Sequence, residues 1–243
     1  MHSALDQAVE ALRSARRVVI SSGAGMSAES GVETFRDAQT GHWSKFRPED
    51  LATPQAFLAN PSFVWDWYRA RRAKLSAVVP HVGYEVLVGW EQRFDPLTII
   101  TQNVDGLHHR AGSQHVIELH GRLDVVCCCE CDFTQQTLED LGEEPMCTMC
   151  GAWLRPGVVW FGEMLPEGAF EAAQDAVDSC GVLMVIGTSG VVQPAASLAQ
   201  YAREMGANVI EINPDPTPIT AIAHVHLPEK CGAALQAINE ALG

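Results

Sequence analysis

SSGAGMSAESGVETFRD, residues 21–37, follows the apolar run RVVI at 17–20 and breaks it at Gly23-Ala24-Gly25. An apolar strand that ends in closely spaced glycines and opens a helix lets backbone come close to a phosphate, and the helix's free N–H groups face it. Gly23-x-Gly25-x-x-Ala28 thus fits a dinucleotide-binding turn in context. An ordinary glycine turn has the same composition, so the rest of the chain must decide. Apolar, β-rich runs recur at 17–22, 97–101, 115–119, 182–186, 208–212 and 224–227, and helical patterns lie at 4–15, 54–59, 62–78, 82–92, 167–178 and 194–205. Strands without polar alternation, separated by helices, predict a parallel sheet covered on both faces. The fold class is therefore α/β.

Two stretches interrupt the alternation. Residues 36–80 carry helical patterns and no strand, and 125–155 are short, cysteine-rich and full of turns. The expected organisation is a sheet domain of residues 1–35, 81–124 and 156–243, with a helical insertion at 36–80 and a metal-binding insertion at 125–155. No acidic residue ends a second strand about 20 residues after the glycines, as a dehydrogenase would require.

A chain of 243 residues with 47% hydrophobic and 19% charged residues has the material for a substantial core. Its net charge of −14, with one basic cluster at Arg69, Arg71, Arg72 and Lys74, argues against a nucleic-acid partner and suits lysine-bearing peptides. Apolar runs such as VLMVI at 182–186 are too short to span a bilayer, and Met1 is followed by an amphipathic stretch rather than a secretory segment. These features predict a soluble, cytoplasmic protein. Six of the eight cysteines fall between 127 and 150. Cys128/Cys131 and Cys147/Cys150 are C-x₂-C pairs 15 residues apart, the spacing of a closed four-thiolate zinc ribbon. Such a zinc is structural. Cys127 and Cys129 flank the chosen ligand, and free or disulfide-bonded thiols are the competing reading.

Polar turns follow several strands. TQNVDG at 101–106 offers Gln102, Asn103 and Asp105; IGTSG at 186–190 offers Gly187, Thr188 and Ser189; INPD at 212–215 offers Asn213 and Asp215. Ligands of open α/β sheets bind at the carboxyl ends of strands, so these turns converge on one site. His120, in ELHG at 118–121, is the candidate general base, because a neutral imidazole takes a proton near neutral pH. His108, His109 and His115 lack that setting and are expected at the surface.

With GAGMSAESGVETFRD, TQNVDGLHHRAG, ELHG, the two C-x₂-C pairs, LRPGVVWFGEMLP, GTSGVVQPA and NPDPTP in order from about 17 to 231, the chain resembles the sirtuins, NAD-dependent protein lysine deacylases. Glu33 and His42 depart from that family's usual proline and leucine. The resemblance implies a Rossmann-like parallel-sheet domain with a smaller inserted zinc-ribbon and helical module. It implies NAD and Zn²⁺ as cofactors and acylated lysine side chains of proteins or peptides as partners. Ser22, Gly23, Ala24, Gly25, Ser27 and Ala28 would hold the diphosphate, and Thr34, Phe35, Arg36 and Trp43 would belong to a loop over the ribose. Gln102, Asn103 and Asp105 would line the nicotinamide pocket. Gly187, Thr188, Ser189, Asn213, Asp215 and Cys231 would hold the adenosine part. His120, Asn103 and Asp105 would carry catalysis: the acyl oxygen attacks the ribose as nicotinamide leaves, and His120 deprotonates a ribose hydroxyl. Val159, Trp160, Phe161, Gly162 and Glu163 would flank the peptide on one side, and Gly190 and Val191 on the other.

Within VWDWYRARRAKL, Tyr68 and Arg71 lie three apart on one helical face. Sirtuins that favour acidic acyl chains have a Tyr-x-x-Arg pair here, and a guanidinium fork with a phenol suits a carboxylate. Ala38 would leave room for a longer acyl group. The resemblance thus implies desuccinylation or demalonylation beside deacetylation. A protein ADP-ribosyltransferase and a silent NAD- or zinc-dependent interaction module are the alternatives; the second is disfavoured by the presence of His120, Asn103 and Asp105.

Overall fold

The computed structural model describes residues 3–33, 45–47 and 50–243. Six strands form one parallel sheet: β1 (Val18–Ser22), β2 (Leu97–Thr101), β3 (Val116–Glu118), β7 (Val182–Ile186), β8 (Asn208–Ile212) and β9 (Val225–Leu227), in the order β3-β2-β1-β7-β8-β9. Each pairing is parallel. The chain builds outward from β1 to β3, then returns to lay β7 against the other side of β1. That reversal is the switch point at which an open α/β sheet leaves a crevice.

The sheet is apolar on both faces, as its unbroken strand pattern predicts. Successive side chains point to opposite sides, so Val18, Ile20, Val182, Met184 and Ile186 enter one core and Val19, Leu183 and Val185 the other. The first core is covered by α1 (Ala4–Ser14), α5 (Val82–Trp90), α6 (Leu107–Ala111) and α9 (Cys231–Leu242). The second is covered by α7 (Ala169–Asp178) and α8 (Ser197–Glu204). Except at α6, where the sequence reading assigns no helix, the strand runs and helical patterns match these elements to within two or three residues. The sequence reading assigns no helix after 205, and the structure adds α9, whose Cys231, Ala234, Leu235, Ile238 and Leu242 form a buried stripe at helical spacing.

Local chemistry sets the helix starts. Ser3 and Asp6 form a reciprocal capping box at α1, with bonds of 3.0 and 3.1 Å. Thr53 and Asn60 cap α3 (Pro54–Ala59) and α4 (Pro61–Ser76), each followed by a proline at the first helical position, where the missing N–H costs nothing.

A second, antiparallel sheet has the order β5-β4-β6, from β4 (Gly121–Cys128), β5 (Thr134–Gln136) and β6 (Leu154–Val158). Its buried Leu123, Val126 and Leu154 pack with Phe57, Val64, Trp65, Trp67, Tyr68 and Leu75 of α3 and α4. The helical and cysteine-rich segments therefore share one core. Buried Arg72 ties them further, donating to the carbonyls of Leu123, Thr137 (2.7 Å) and Glu139 (3.4 Å). No helix among the described residues is long and apolar enough to cross a membrane.

Candidate active site at the switch point

The carboxyl ends of β1, β2 and β7 meet at the switch point. Gly23 N donates to Ile186 O at 2.9 Å and Gly25 N to Gly187 O at 2.7 Å. A Cβ at Gly25 would stand 2.7 Å from Gly187 Cα, and Gly187 itself has φ +60° with Met26 N 2.4 Å from a hypothetical Cβ. Two backbones this close leave no room for side chains, which explains the glycines at both positions. Ala24 and Ala28 of the short helix α2 (Ala24–Ala28) stay exposed at the mouth, while Ser27 is buried.

Ser27 organises the floor. Its Oγ donates to Asp105 Oδ2 at 2.5 Å and accepts from Asn103 Nδ2 at 2.8 Å. Asn103 Nδ2 also reaches Gly23 O at 3.0 Å, and Asp105 Oδ1 accepts from Leu107 N at 2.8 Å. Burial raises the Asp105 pKa, and the bonds from Ser27 and Leu107 with the charges of Arg71 and Arg110 oppose it. Asn103 and Asp105, 80 and 78 residues from their partners Gly23 and Ser27, thus come into one polar cluster.

His120 lies beside this floor, with Nδ1 at 3.0 Å from the Gln102 carbonyl. A carbonyl only accepts, so Nδ1 carries the proton and Nε2 keeps a lone pair, the tautomer a general base needs. Burial lowers the His120 pKa below its ordinary 6.5, against the raising effect of the Gln102 bond. The neutral form therefore prevails at neutral pH. Gly121, with φ +70° and Gly157 O where a Cβ would be, lets the chain turn tightly after His120.

The other wall comes from β7 and β8. Gln102 Nε2 reaches Thr188 Oγ1 at 3.3 Å, and Asn213 Nδ2 donates to Thr188 O at 2.8 Å. Ser189 and Asp215 are exposed, and Cys231 is buried at the start of α9. The segment expected to flank a peptide is joined to His120 through Val159 N to His120 O, 2.9 Å. Phe161 and Val191 are exposed, while the Glu163 carboxylate is held by Arg155 at 2.5 and 2.8 Å. Thr34, Phe35, Arg36, Ala38, His42 and Trp43 lie outside the described residues.

With this geometry in place, comparison with known proteins gives a consistent result. Residues 23–194 match the model of the Sir2 family. The NAD-dependent protein deacylase of Aquifex aeolicus is 48% identical over 227 residues, spanning 93% of this chain and 95% of that one. The chain belongs to the Sir2 family. A second relative, the NAD-dependent protein deacylase of Ralstonia nicotianae, is 48% identical over 231 residues, 93% of this chain and 92% of its own. Among solved structures, a Sir2 homologue in complex with NAD superposes with a TM-score of 0.91 at 42% identity, over 98% of this chain and 95% of that one. A Sir2–p53 peptide–NAD⁺ complex does so with 0.88 at 27% identity, over 98% of each.

The Sir2 fold's zinc ribbon is also recognisable here. The sulfurs of Cys128, Cys131, Cys147 and Cys150 all lie within 4.8 Å of one another, with Cys128–Cys150 at 3.4 Å and Cys131–Cys147 at 3.7 Å. Tetrahedral thiolates at a Zn–S distance of about 2.3 Å would be roughly 3.8 Å apart, so the donor set fits zinc. Glu130 N and Met149 N each donate to a ligand sulfur at 3.4 Å. Register selects Cys128 over its neighbours: exposed Cys129 and Cys127, whose sulfur contacts Arg155 O, lie outside the cluster.

Two buried groups of this Sir2 site escape a sequence reading. His108, expected at the surface, is 2% exposed. Its Nε2 meets Ser22 Oγ at 2.9 Å, Tyr84 packs edge-on 4.8 Å away, and burial drives its pKa down to about 3. The cause is the single turn of α6, which points Leu107 and His108 into the core and leaves His109 to pair with Glu118 at 3.2 Å. The second is Tyr84, whose hydroxyl is 3.2 Å from Ser27 Oγ. It reads as an ordinary core residue of α5, since nothing in sequence couples it to a serine 57 positions away.

Proposed function

We propose that this Sir2 protein is an NAD-dependent protein-lysine deacylase that transfers the acyl group to ADP-ribose and releases nicotinamide and O-acyl-ADP-ribose. It removes succinyl and malonyl groups at least as well as acetyl. The names of the relatives and the peptide and NAD complexes among the neighbours support the reaction class. A further structural neighbour is a Sir2 homologue mutant in complex with 2′-O-acetyl ADP-ribose. NAD supplies a ribose carbon that becomes electrophilic as nicotinamide departs and a hydroxyl that receives the acyl group. The Gly23–Gly25 turn would cradle its diphosphate, and the buried Ser22, held by Thr101 and His108, would support that turn from the end of β1. Asn103 and Asp105 would hold the nicotinamide end, and their burial keeps water from them. His120 Nε2, with its lone pair free of the Gln102 bond, takes the hydroxyl proton. Gly187, Thr188, Asn213 and Cys231 would hold the adenosine half.

The observation that carries the acyl selectivity is a pair of donors on α4, a buried phenol and a half-buried guanidinium. Tyr68 is 2% exposed, and Arg71 lies with its guanidinium 4.7 Å above the Trp67 ring. Burial lowers the Arg71 pKa, and Tyr68, Asp105 and Glu33 counter it. A half-buried guanidinium can add a charge-assisted bond to an anion that enters with the substrate. The test is kcat/KM on matched acetyl and succinyl peptides, with products identified by mass spectrometry. Tyr68→Phe and Arg71→Met should each lower the succinyl value by about 10- to 150-fold, the worth of a bond to a charged group at about 1.5–3 kcal/mol, and the acetyl value far less. Equal losses on both substrates would reduce the pair to scaffold. Label from NAD ending on protein instead of on a small product would point to ADP-ribosyl transfer.

A further inference from the structure

Tyr68 is not held by its neighbours on α4 alone. The indole Nε1 of Trp160, 92 residues away, sits 2.9 Å from its hydroxyl oxygen, and both side chains are almost fully buried. An indole nitrogen donates and never accepts. The Tyr68 oxygen is therefore the acceptor in this bond, and its own proton has to point elsewhere.

The indole is in turn fixed from behind. The Arg155 guanidinium lies 3.6 Å from the centroid of the Trp160 ring. Arg155 is clamped by Glu163 at 2.5 and 2.8 Å and donates to Val158 O at 3.0 Å. Glu163 also accepts from the Trp160 backbone N at 2.7 Å, so ring, cation and carboxylate form one closed unit. A cation over the π face draws electron density from the ring and strengthens its N–H as a donor. A hydroxyl that accepts a hydrogen bond becomes a better donor itself.

We propose that Trp160 is a specificity-determining positioning residue: its donor-only N–H forces Tyr68 to act as a donor, so that Tyr68 and Arg71 together present a purely donating surface to an acyl carboxylate. Without the indole, the Tyr68 hydroxyl could turn its lone pairs toward the pocket and repel the same carboxylate. Burial pushes the Tyr68 pKa up to about 12, so the phenol keeps its proton at every working pH. The inference rests on the acidic-acyl reading above.

The experiment compares wild type, Tyr68→Phe, Trp160→Phe and the double variant on matched acetyl and succinyl peptides. Trp160→Phe should raise KM for the succinyl peptide about 5-fold more than for the acetyl peptide, the worth of one neutral hydrogen bond, and leave the ratio of the two kcat values unchanged. In the Tyr68→Phe background it should add nothing to the succinyl-to-acetyl ratio. If Tyr68→Phe leaves that ratio unchanged, the acidic-acyl reading falls and this proposal with it. If Tyr68→Phe lowers the ratio but Trp160→Phe does not, or the two effects multiply in the double variant, this proposal alone is overturned. Should Trp160→Phe not fold, the Trp160 indole N–H resonance carries the test. Tyr68→Phe must speed its exchange with solvent and move it upfield, and succinyl peptide must shift it more than acetyl peptide; an indole signal indifferent to both overturns the proposal.

Discussion

Ser27→Ala is the sharpest probe of the site floor. The substitution removes one oxygen that donates to the Asp105 carboxylate at 2.5 Å and accepts from Asn103 at 2.8 Å, at a position 1% exposed. A bond to a charged group is worth about 1.5–3 kcal/mol and a neutral one about 1, so the expected loss is about 2.5–4 kcal/mol. For a chain of this size that corresponds to a fall in Tm of roughly 5–15 °C. The loss should also depend on pH. Asp105 already has a raised pKa in the folded state, so it favours folding when protonated and loses that advantage as pH rises through the folded value. Removing the Ser27 bond, which favours the ionised form, raises that pKa further. The deficit relative to wild type should therefore widen as pH climbs from acid to neutral. Chemical denaturation of both proteins at several pH values measures it. A deficit below about 1 kcal/mol, or one that is flat with pH, would refute the idea that Ser27 sustains a buried charge.

His120→Ala should cut kcat by about 10²- to 10⁴-fold, the usual worth of a general base, with the melting curve near that of wild type. Because burial lowers the His120 pKa, the acid limb of kcat/KM for the wild type should fall below pH 6.5 and vanish in the variant; an acid limb above 7 would contradict the assignment. Chelation, or Cys147→Ala, should unfold the β4–β6 sheet and loosen α4 through their shared core, because metal binding and folding are coupled there. Metal analysis with limited proteolysis reads this out, and a metal-free protein with intact activity would sink it.

Much of this architecture is already present in the order of residues. Short apolar runs between helical patterns predict a sheet buried on both faces, and the glycines at Gly23/Gly25 and polar turns at Gln102–Asp105 mark the strand ends where the candidate site lies. The C-x₂-C spacing names its own four thiolates, because two knuckles of that size have few other ways to meet. These features are local, so periodicity and spacing reveal them. Partnerships between distant positions are different. That His108 faces inward, that Tyr84 touches Ser27 and that Trp160 meets Tyr68 depend on how separate elements pack, and no spacing in the sequence couples these partners. The same holds for the single core shared by α4 and the cysteine-bearing sheet, which sequence separates into two insertions. Hydrogen-bond direction and charge burial are set by neighbours in space, and only the tertiary structure supplies those neighbours.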